Sequence, residues 1–187
     1  MKVSTSRFGE LFVEKADLIH FPEGILGFEQ LKKFFIVDPG DQTYIMWLQS
    51  TDTPHVAFPI IEPSFFIQAH ESKLLPSEMN SLKLESLQDA KIFCILTIPQ
   101  DITQMTANLK APIVINNQLK VGKQIVLQDN KLAVRHEIYL EMKKKLVQLR
   151  PAAEEENVQT LPLQEEKPST EKKSASKRPR RDLEELI

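Results

Sequence analysis

The chain has 187 residues, of which 41% are hydrophobic and 27% charged, with a formal net charge of −2. This near-neutral balance disfavours broad electrostatic capture of nucleic acid or of an anionic membrane. The single cysteine excludes an internal disulfide, and no apolar run approaches the roughly 18 residues that a membrane-spanning helix needs. We therefore expect a cytoplasmic protein.

Composition divides the chain into three parts. Residues 1–136 contain all five glycines, all ten phenylalanines and the only tryptophan, which predicts one folded domain. Residues 151–187 contain no aromatic residue and many charges, which predicts a disordered charged tail. Between the two, residues 137–150 form a separate amphipathic segment.

The body of the chain has the pattern of a β protein. Short runs of β-branched and aromatic residues alternate with turn residues, too closely spaced for helices to intervene. We predict a mainly β fold, a small antiparallel β-barrel or sandwich, in which Pro59 places its strand at an edge or at a bulge. The predicted strands are Phe12–Val13, Phe35–Val37, Tyr44–Leu48, Val56–Ile61, Ile92–Ile98, Pro112–Ile115 and Gln124–Leu127.

Two segments have helical periodicity. Leucine and methionine spacing within residues 74–91 predicts a short helix, or two helical turns, starting at Pro76. In the segment 137–150, the apolar residues Ile138, Met142, Leu146 and Leu149 recur on one helical face. Pro151 then ends this C-terminal helix.

Residue patterns for catalysis or metal binding are missing from the sequence. The four histidines lack a metal-ligand spacing, and Cys94 lies in an apolar run without an activating partner. Gly24 and Gly27 lack the further residues of a phosphate-binding loop, so we assign them to a turn. We therefore expect no enzyme, no cofactor and no metal.

A basic cluster in the tail is the one feature that favours nucleic acid. Lys172 to Arg181 supply the positive charge, but no aromatic residue is interleaved and acidic residues follow. We expect no direct nucleic-acid binding, and assign this cluster to solubility or a weak, salt-sensitive contact.

Three segments resemble the FliW family of flagellar assembly factors. They are residues 4–34, with an Ile-x-Phe-x-x-Gly-x-x-Gly-Phe turn region from Ile19 to Phe28; residues 44–66, with Leu48-Gln49-Ser50; and residues 105–127, with Thr106-Ala107-Asn108-Leu109 and Ala111-Pro112-Ile113-Val114-Ile115-Asn116. Together they cover nearly all of residues 1–136. Family members commonly end near His136, so the resemblance leaves the C-terminal helix and tail unexplained.

The resemblance implies a small β-barrel protein that acts by binding other proteins. It implies two partners, cytoplasmic flagellin and the RNA-binding translational repressor CsrA, which compete so that flagellin level controls flagellin translation. A flagellin-only chaperone, without binding of the repressor, is the alternative.

We predict partner contacts at six residues. Phe65 and Phe66 are the leading candidates, because neighbouring residues of a strand face opposite sides and one ring would then be exposed. Phe58 is a further apolar anchor, and an acidic side chain such as Glu71 would face the basic surface of the repressor. Asn108 and Asn116 flank an apolar strand, where the alternative role is to satisfy backbone groups. The six predicted contact residues are Phe58, Phe65, Phe66, Glu71, Asn108 and Asn116.

Overall fold

The computed structural model describes residues 1–40, 43–67 and 74–149. Within these ranges the chain is mainly β, as predicted, with two α-helices and four short 3-10 turns. The predicted disordered tail lies outside them. The strands are β1 Lys2–Thr5, β2 Gly9–Phe12, β3 Ile19–His20, β4 Lys33–Val37, β5 Met46–Ser50, β6 Ala57–Ile61, β7 Ala90–Thr97, β8 Thr106–Ala107, β9 Ile113–Asn116, β10 Val121–Gln124 and β11 His136–Glu137. The helices are α1 Pro76–Ser81 and α2 Tyr139–Leu149.

The strand pairings close into a ring, which is the barrel alternative of the predicted fold. Going round it, β7 pairs with β6, followed by β5, β4, β3, β10 and β9, and β9 pairs again with β7. All of these pairs are antiparallel except β10 with β3, which is a single parallel pair between Val121 and His20. Closure leaves few free strand edges, which limits unwanted pairing with other chains.

Strand alternation separates two apolar layers on either side of β4. Phe34 is fully buried inside the ring, where it packs with Leu48 and Phe93. Phe35 points the opposite way and packs with Val3 and Val13, next to the β1–β2 hairpin. The hairpin therefore covers the outer face of β4.

Helix α1 begins at Pro76, as the sequence predicts. Pro76 occupies the first turn, where its missing N–H costs nothing, and the Glu78 carboxylate accepts a hydrogen bond from the Leu75 N–H at 2.7 Å. The second predicted helical turn is a 3-10 turn, Leu87–Asp89. The prediction for residues 74–91 is confirmed in its two-turn form.

Helix α2 confirms the prediction of a C-terminal amphipathic helix. Ile138, just before it, and Met142 in its second turn are buried in a cluster with Ile61, Phe66 and Cys94. Leu146 is half-buried and Val147 is exposed. Because the apolar face packs on β6 and β7, α2 is joined to the barrel.

The sequence predicted that the strand of Pro59 lies at a sheet edge or carries a bulge, and the edge alternative is wrong. Strand β6 lies between β5 and β7, but its pairing with β7 consists only of Ile60 and Ile61. Pro59 precedes these pairs, so its missing N–H removes no hydrogen bond from the β7 ladder.

Two predicted strand positions were also shifted. Strand β5 begins at Met46 and not at Tyr44, because Tyr44 has φ 62°, a left-handed conformation that no strand accommodates. Strand β10 ends at Gln124, where a new strand was predicted to begin. The buried residues Ile125 and Leu127 follow in irregular structure and pack in a cluster with Leu82 and Leu84.

Candidate functional site

An aromatic pair at one end of strands β5 and β6 is the leading candidate for a protein-binding site. The rings of Tyr44 and Phe65 are stacked, with centroids 4.5 Å apart and planes inclined by 29°. Tyr44 is 41% exposed, whereas Phe65 is half-buried against the cluster below α2. Rings held on a packed base and still open to solvent are typical anchors for a protein partner.

Pro63 positions the two neighbouring phenylalanines. It begins a 3-10 turn, Pro63–Phe65, and its carbonyl accepts hydrogen bonds from the N–H groups of Phe66 at 3.1 Å and Ile67 at 2.9 Å. The premise that Phe65 and Phe66 belong to a strand was therefore wrong, because proline at the first position favours a helical turn there. The turn directs Phe66 into the core and leaves Phe65 beside Tyr44.

Tyr44 is held in a sparsely populated backbone conformation. Its φ of 62° is left-handed, which costs a non-glycine residue roughly 1 kcal/mol or more. Such strain is maintained only by surrounding contacts, here the stack on Phe65 and the packing of the next residue, Ile45, against the core. Strain in an exposed aromatic residue favours a binding role.

The other predicted site residues do not join this pair. Phe58 is half-buried against the inner core and makes an edge-to-face contact with Phe28, with ring centroids 5.1 Å apart. Phe66 is 6% exposed and lies in the core, with its ring 6.2 Å from that of His136. Glu71 lies outside the described residues, so its predicted contact stays a prediction.

The two asparagines form hydrogen bonds to the backbone, which is the alternative to a partner contact that the sequence left open for them. Asn108 accepts from the Ala111 N–H at 2.9 Å. Asn116 is buried, and its amide nitrogen donates to the carbonyls of Leu82 and Lys83 at 3.0 and 3.1 Å. Its oxygen accepts from the Gln118 and Leu119 N–H groups, both at 3.0 Å. Both polar groups of Asn116 and the side-chain oxygen of Asn108 are hydrogen-bonded to the backbone, which favours a structural role.

Chemistry other than binding finds little support in the described part of the chain. No group of three or more His, Cys, Asp or Glu side chains there could hold a metal ion. Burial raises the pKa of the Cys94 thiol to about 12, so it stays protonated and is a poor nucleophile. No described helix is long and apolar enough to cross a membrane.

Comparison with known proteins gives the family. The family model described as FliW protein matches residues 2–138. The chain belongs to the FliW family. Helix α2 begins directly after the matched region, so all of it lies beyond what the family model describes.

Similar proteins include named FliW members from several bacteria. The flagellar assembly factor FliW of Bdellovibrio bacteriovorus is 43% identical over 148 residues, covering 79% of this chain and 85% of that protein. The flagellar assembly factor FliW of Moorella thermoacetica is 38% identical over 142 residues, covering 75% of this chain and 90% of that protein. A crystal structure of the flagellar assembly factor FliW superposes with a TM-score of 0.71 at 31% identity, over 74% of this chain and 97% of that one. The fold described above is thus the FliW fold.

The sequence did not single out Tyr44, which the structure makes a candidate site residue. Its position among Thr43, Ile45 and Met46 resembled the start of a strand, and no local motif signals a left-handed tyrosine. Phe65 was predicted as a contact residue on the wrong assumption of a strand, and its role stays a prediction.

Proposed function

We propose that this FliW-family protein binds flagellin and the translational repressor CsrA in the cytoplasm. Flagellin and CsrA compete for the protein, so that free flagellin controls how much repressor is available to act on flagellin translation. The protein acts by binding and catalyses no reaction. Family membership supports the flagellar role, and the resemblance of the sequence motifs supports the choice of partners.

The observation that carries the proposal is the exposed stack of Tyr44 on Phe65. An amphipathic helix docks through a few apolar side chains that fit against exposed aromatic anchors. Phe65 is fixed by the turn that begins at Pro63 and by the core beneath it, so little entropy is lost when a partner binds. The helical terminal region of flagellin is the predicted ligand of this pair.

An acidic residue adjacent in the chain to the turn that holds Phe65 supports binding of an RNA-binding protein. Glu62 immediately precedes the turn Pro63–Phe65, and its carbonyl accepts from the Phe65 N–H at 3.1 Å. Its side chain is half-buried and forms no ion pair with another described residue. A carboxylate facing the basic RNA-binding surface of the repressor would steer association and repel RNA.

Competition requires that the two partners exclude one another. Overlapping surfaces at the aromatic pair would achieve this directly, and coupled conformations would achieve it at a distance. In either case a rise in free flagellin displaces the repressor by mass action.

Titration calorimetry of the full-length chain with each partner tests the proposal. We expect binding of both, and weaker binding of flagellin by Tyr44→Ala than by the control Val126→Ala, which changes another exposed apolar residue. Binding of flagellin alone would identify the flagellin-only chaperone. Binding of neither would contradict the proposal.

A further inference from the structure

The barrel wall has a gap beside strand β4. Strand β3 contains two residues, and its pairing with β4 ends at Ile19 opposite Phe34. On its other edge β4 pairs with β5 as far as Val37. Strand β4 therefore extends three residues beyond β3, and this part has a strand neighbour on one side only.

A cavity of about 450 Å³ opens at this gap. Phe35 and Val37, which pack next to the hairpin outside the barrel, line it together with Ile36, which packs against the inner core. Side chains from both faces of one strand line the same cavity only where that strand has a free edge. The cavity therefore lies across the unpaired edge of β4.

The backbone of Ile36 faces this cavity. Lys33 directs its carbonyl toward β5, where it accepts from the Thr51 N–H at 3.0 Å, and Lys32 directs its carbonyl toward β3, where it accepts from the Phe21 N–H at 2.8 Å. Because N–H and C=O groups alternate sides along an antiparallel strand, Ile36 points to the same side as Lys32. In the β3 register its partner would be Asp17, whose N–H is instead bonded to the Glu14 carbonyl in a 3-10 turn.

The cavity has an apolar floor and an exposed aromatic rim. Met46, Phe93 and Ile115 of the inner core form part of the floor. Phe12 of β2 stands at the rim and is 85% exposed, the most exposed large apolar side chain that the structure describes. An apolar side chain inserted here would leave water and contact both the floor and Phe12, which favours binding.

Charges of opposite sign stand on different parts of the rim. Lys91 of β7 and Lys120 of the β9–β10 turn supply positive charge, Asp17 and Asp38 lie on the side of β3 and β4, and Glu62, which follows β6, adds a third carboxylate. None of these five side chains forms an ion pair with another described residue. Lys120 donates one long hydrogen bond, at 3.5 Å, to the Asn117 side chain, so both lysines can still pair with an acidic residue of a ligand.

We propose that this groove, lined by the free edge of β4, the apolar floor and Phe12, binds an extended segment of a partner protein by strand addition at Ile36. The segment inserts an apolar side chain over Phe93 and Ile115 and places an acidic residue near Lys91 and Lys120. Main-chain hydrogen bonds to a free edge provide affinity, and pockets for alternate side chains provide selectivity. A free edge pairs with an extended chain and not with a helix, so the mode of binding differs from that proposed above for the aromatic pair, although Glu62 borders the groove as well.

The test uses isotope-labelled full-length protein and two blocked seven-residue peptides of alternating valine and threonine, with two glutamates at either the C-terminal or the N-terminal end. We expect one of them to cause saturable shifts of the Ile36 amide resonance, because that amide becomes hydrogen-bonded. N-methylation of the peptide amides on one edge should abolish the shifts, whereas N-methylation on the other edge should not. The double variant Lys91→Glu/Lys120→Glu should weaken binding about tenfold, as for two exposed ion pairs, and Lys131→Glu should leave it unchanged.

Three results would overturn the proposal. One is the absence of a saturable shift at Ile36 with either peptide up to about 1 mM, the weak limit of specific recognition. Another is protection of the Ile36 amide from hydrogen exchange in the free protein that does not change with protein concentration, since a segment of the same chain would then fill the groove. The third is protection that rises with protein concentration, which would assign the groove to a second copy.

Discussion

The ring of Tyr44 stacks on the ring of Phe65 at a centroid distance of 4.5 Å, although one residue precedes β5 and the other follows β6. The pairing of Met46 with Ile60 brings these two chain ends to the same end of the antiparallel pair. The stack is thus a consequence of strand register, together with a left-handed residue on one strand and a proline-started turn on the other.

Replacing Tyr44 should separate binding from stability. Tyr44→Ala should weaken flagellin binding at least tenfold, about 1.4 kcal/mol, as expected for an exposed aromatic anchor. Tyr44→Gly removes the same ring and also relieves the left-handed strain of roughly 1 kcal/mol, so its thermal unfolding should stay close to that of the wild type. Calorimetric titration and thermal melts measure the two effects. Equal affinity of both variants and wild type would exclude Tyr44 from the interface.

Asn116 should contribute to stability. Asn116→Ala leaves four backbone groups without their side-chain partner: the carbonyls of Leu82 and Lys83 and the N–H groups of the turn after β9. We expect the free energy of unfolding to fall by about 2–4 kcal/mol. Urea unfolding measures the loss. The control Asn117→Ala changes an exposed neighbour and should stay within about 0.5 kcal/mol of wild type. If Asn116→Ala lost little stability but no longer bound a partner, the residue would be a partner contact, as the sequence predicted.

Gly122 is required by its contact with Phe21. A Cβ atom at residue 122 would lie 2.5 Å from Cζ of the Phe21 ring, and Phe21 is fully buried, so the ring has little room to move. Gly122→Ala should destabilise the fold by about 1–3 kcal/mol, as overpacking does. In the double variant with Phe21→Leu, the loss should be smaller than the sum of the two single losses. Additive losses would contradict the steric explanation.

The Cys94 thiol should make stability fall at high pH. Burial raises the pKa of the thiol from 9.0 to about 12. The unfolded chain therefore loses the thiol proton before the folded protein does, so the stability that the buried thiol contributes is fully present below about pH 9 and is lost as pH rises toward 12. Each pH unit in this window should cost about 1.4 kcal/mol in the wild type relative to Cys94→Ala. Urea unfolding of both proteins at pH 8, 9.5 and 10.5 gives the difference between their free energies of unfolding, in which the effects of all other titrating groups cancel. A difference that does not change with pH would contradict the burial of the thiol.

Helix α2 should stabilise the barrel. Met142→Ala removes a buried side chain from the cluster with Ile61 and Phe66, and should cost about 2–4 kcal/mol. Leu140→Ala on the same helix changes a side chain that is 62% exposed, and should have little effect. Deleting residues 137–187 should accordingly lower the melting temperature. An unchanged melting temperature after the deletion would reject a structural role for the helix.

The sequence predicted those parts of the fold that depend on local periodicity. Most of β4, β6, β7 and β9 and the helix α2 follow from alternation or from apolar residues three and four apart. Closure of the ring depends on one pair between Val121 and His20, residues about a hundred positions apart, which no local pattern encodes. The same holds for the inner position of Pro59, because a two-pair ladder with β7 is a tertiary feature.

The candidate site was predicted less well than the fold, for a related reason. Phe65 stood out as an aromatic residue next to another, but its exposure results from the turn at Pro63 and not from strand alternation. Tyr44 has φ 62° because neighbouring contacts hold it there, against its own preference. Strained residues at binding sites contradict local rules, and for this reason local rules do not find them.

In the proposed switch, flagellin and the repressor compete for this protein. Fluorescence anisotropy of labelled CsrA bound to the full-length chain, measured as flagellin is added, tests it most directly. We predict that anisotropy falls to the value of free CsrA as flagellin saturates, and that the Tyr44→Ala variant needs at least about tenfold more flagellin. Anisotropy that stays constant or rises while flagellin binds would mean that the partners bind together, and would contradict the proposed switch.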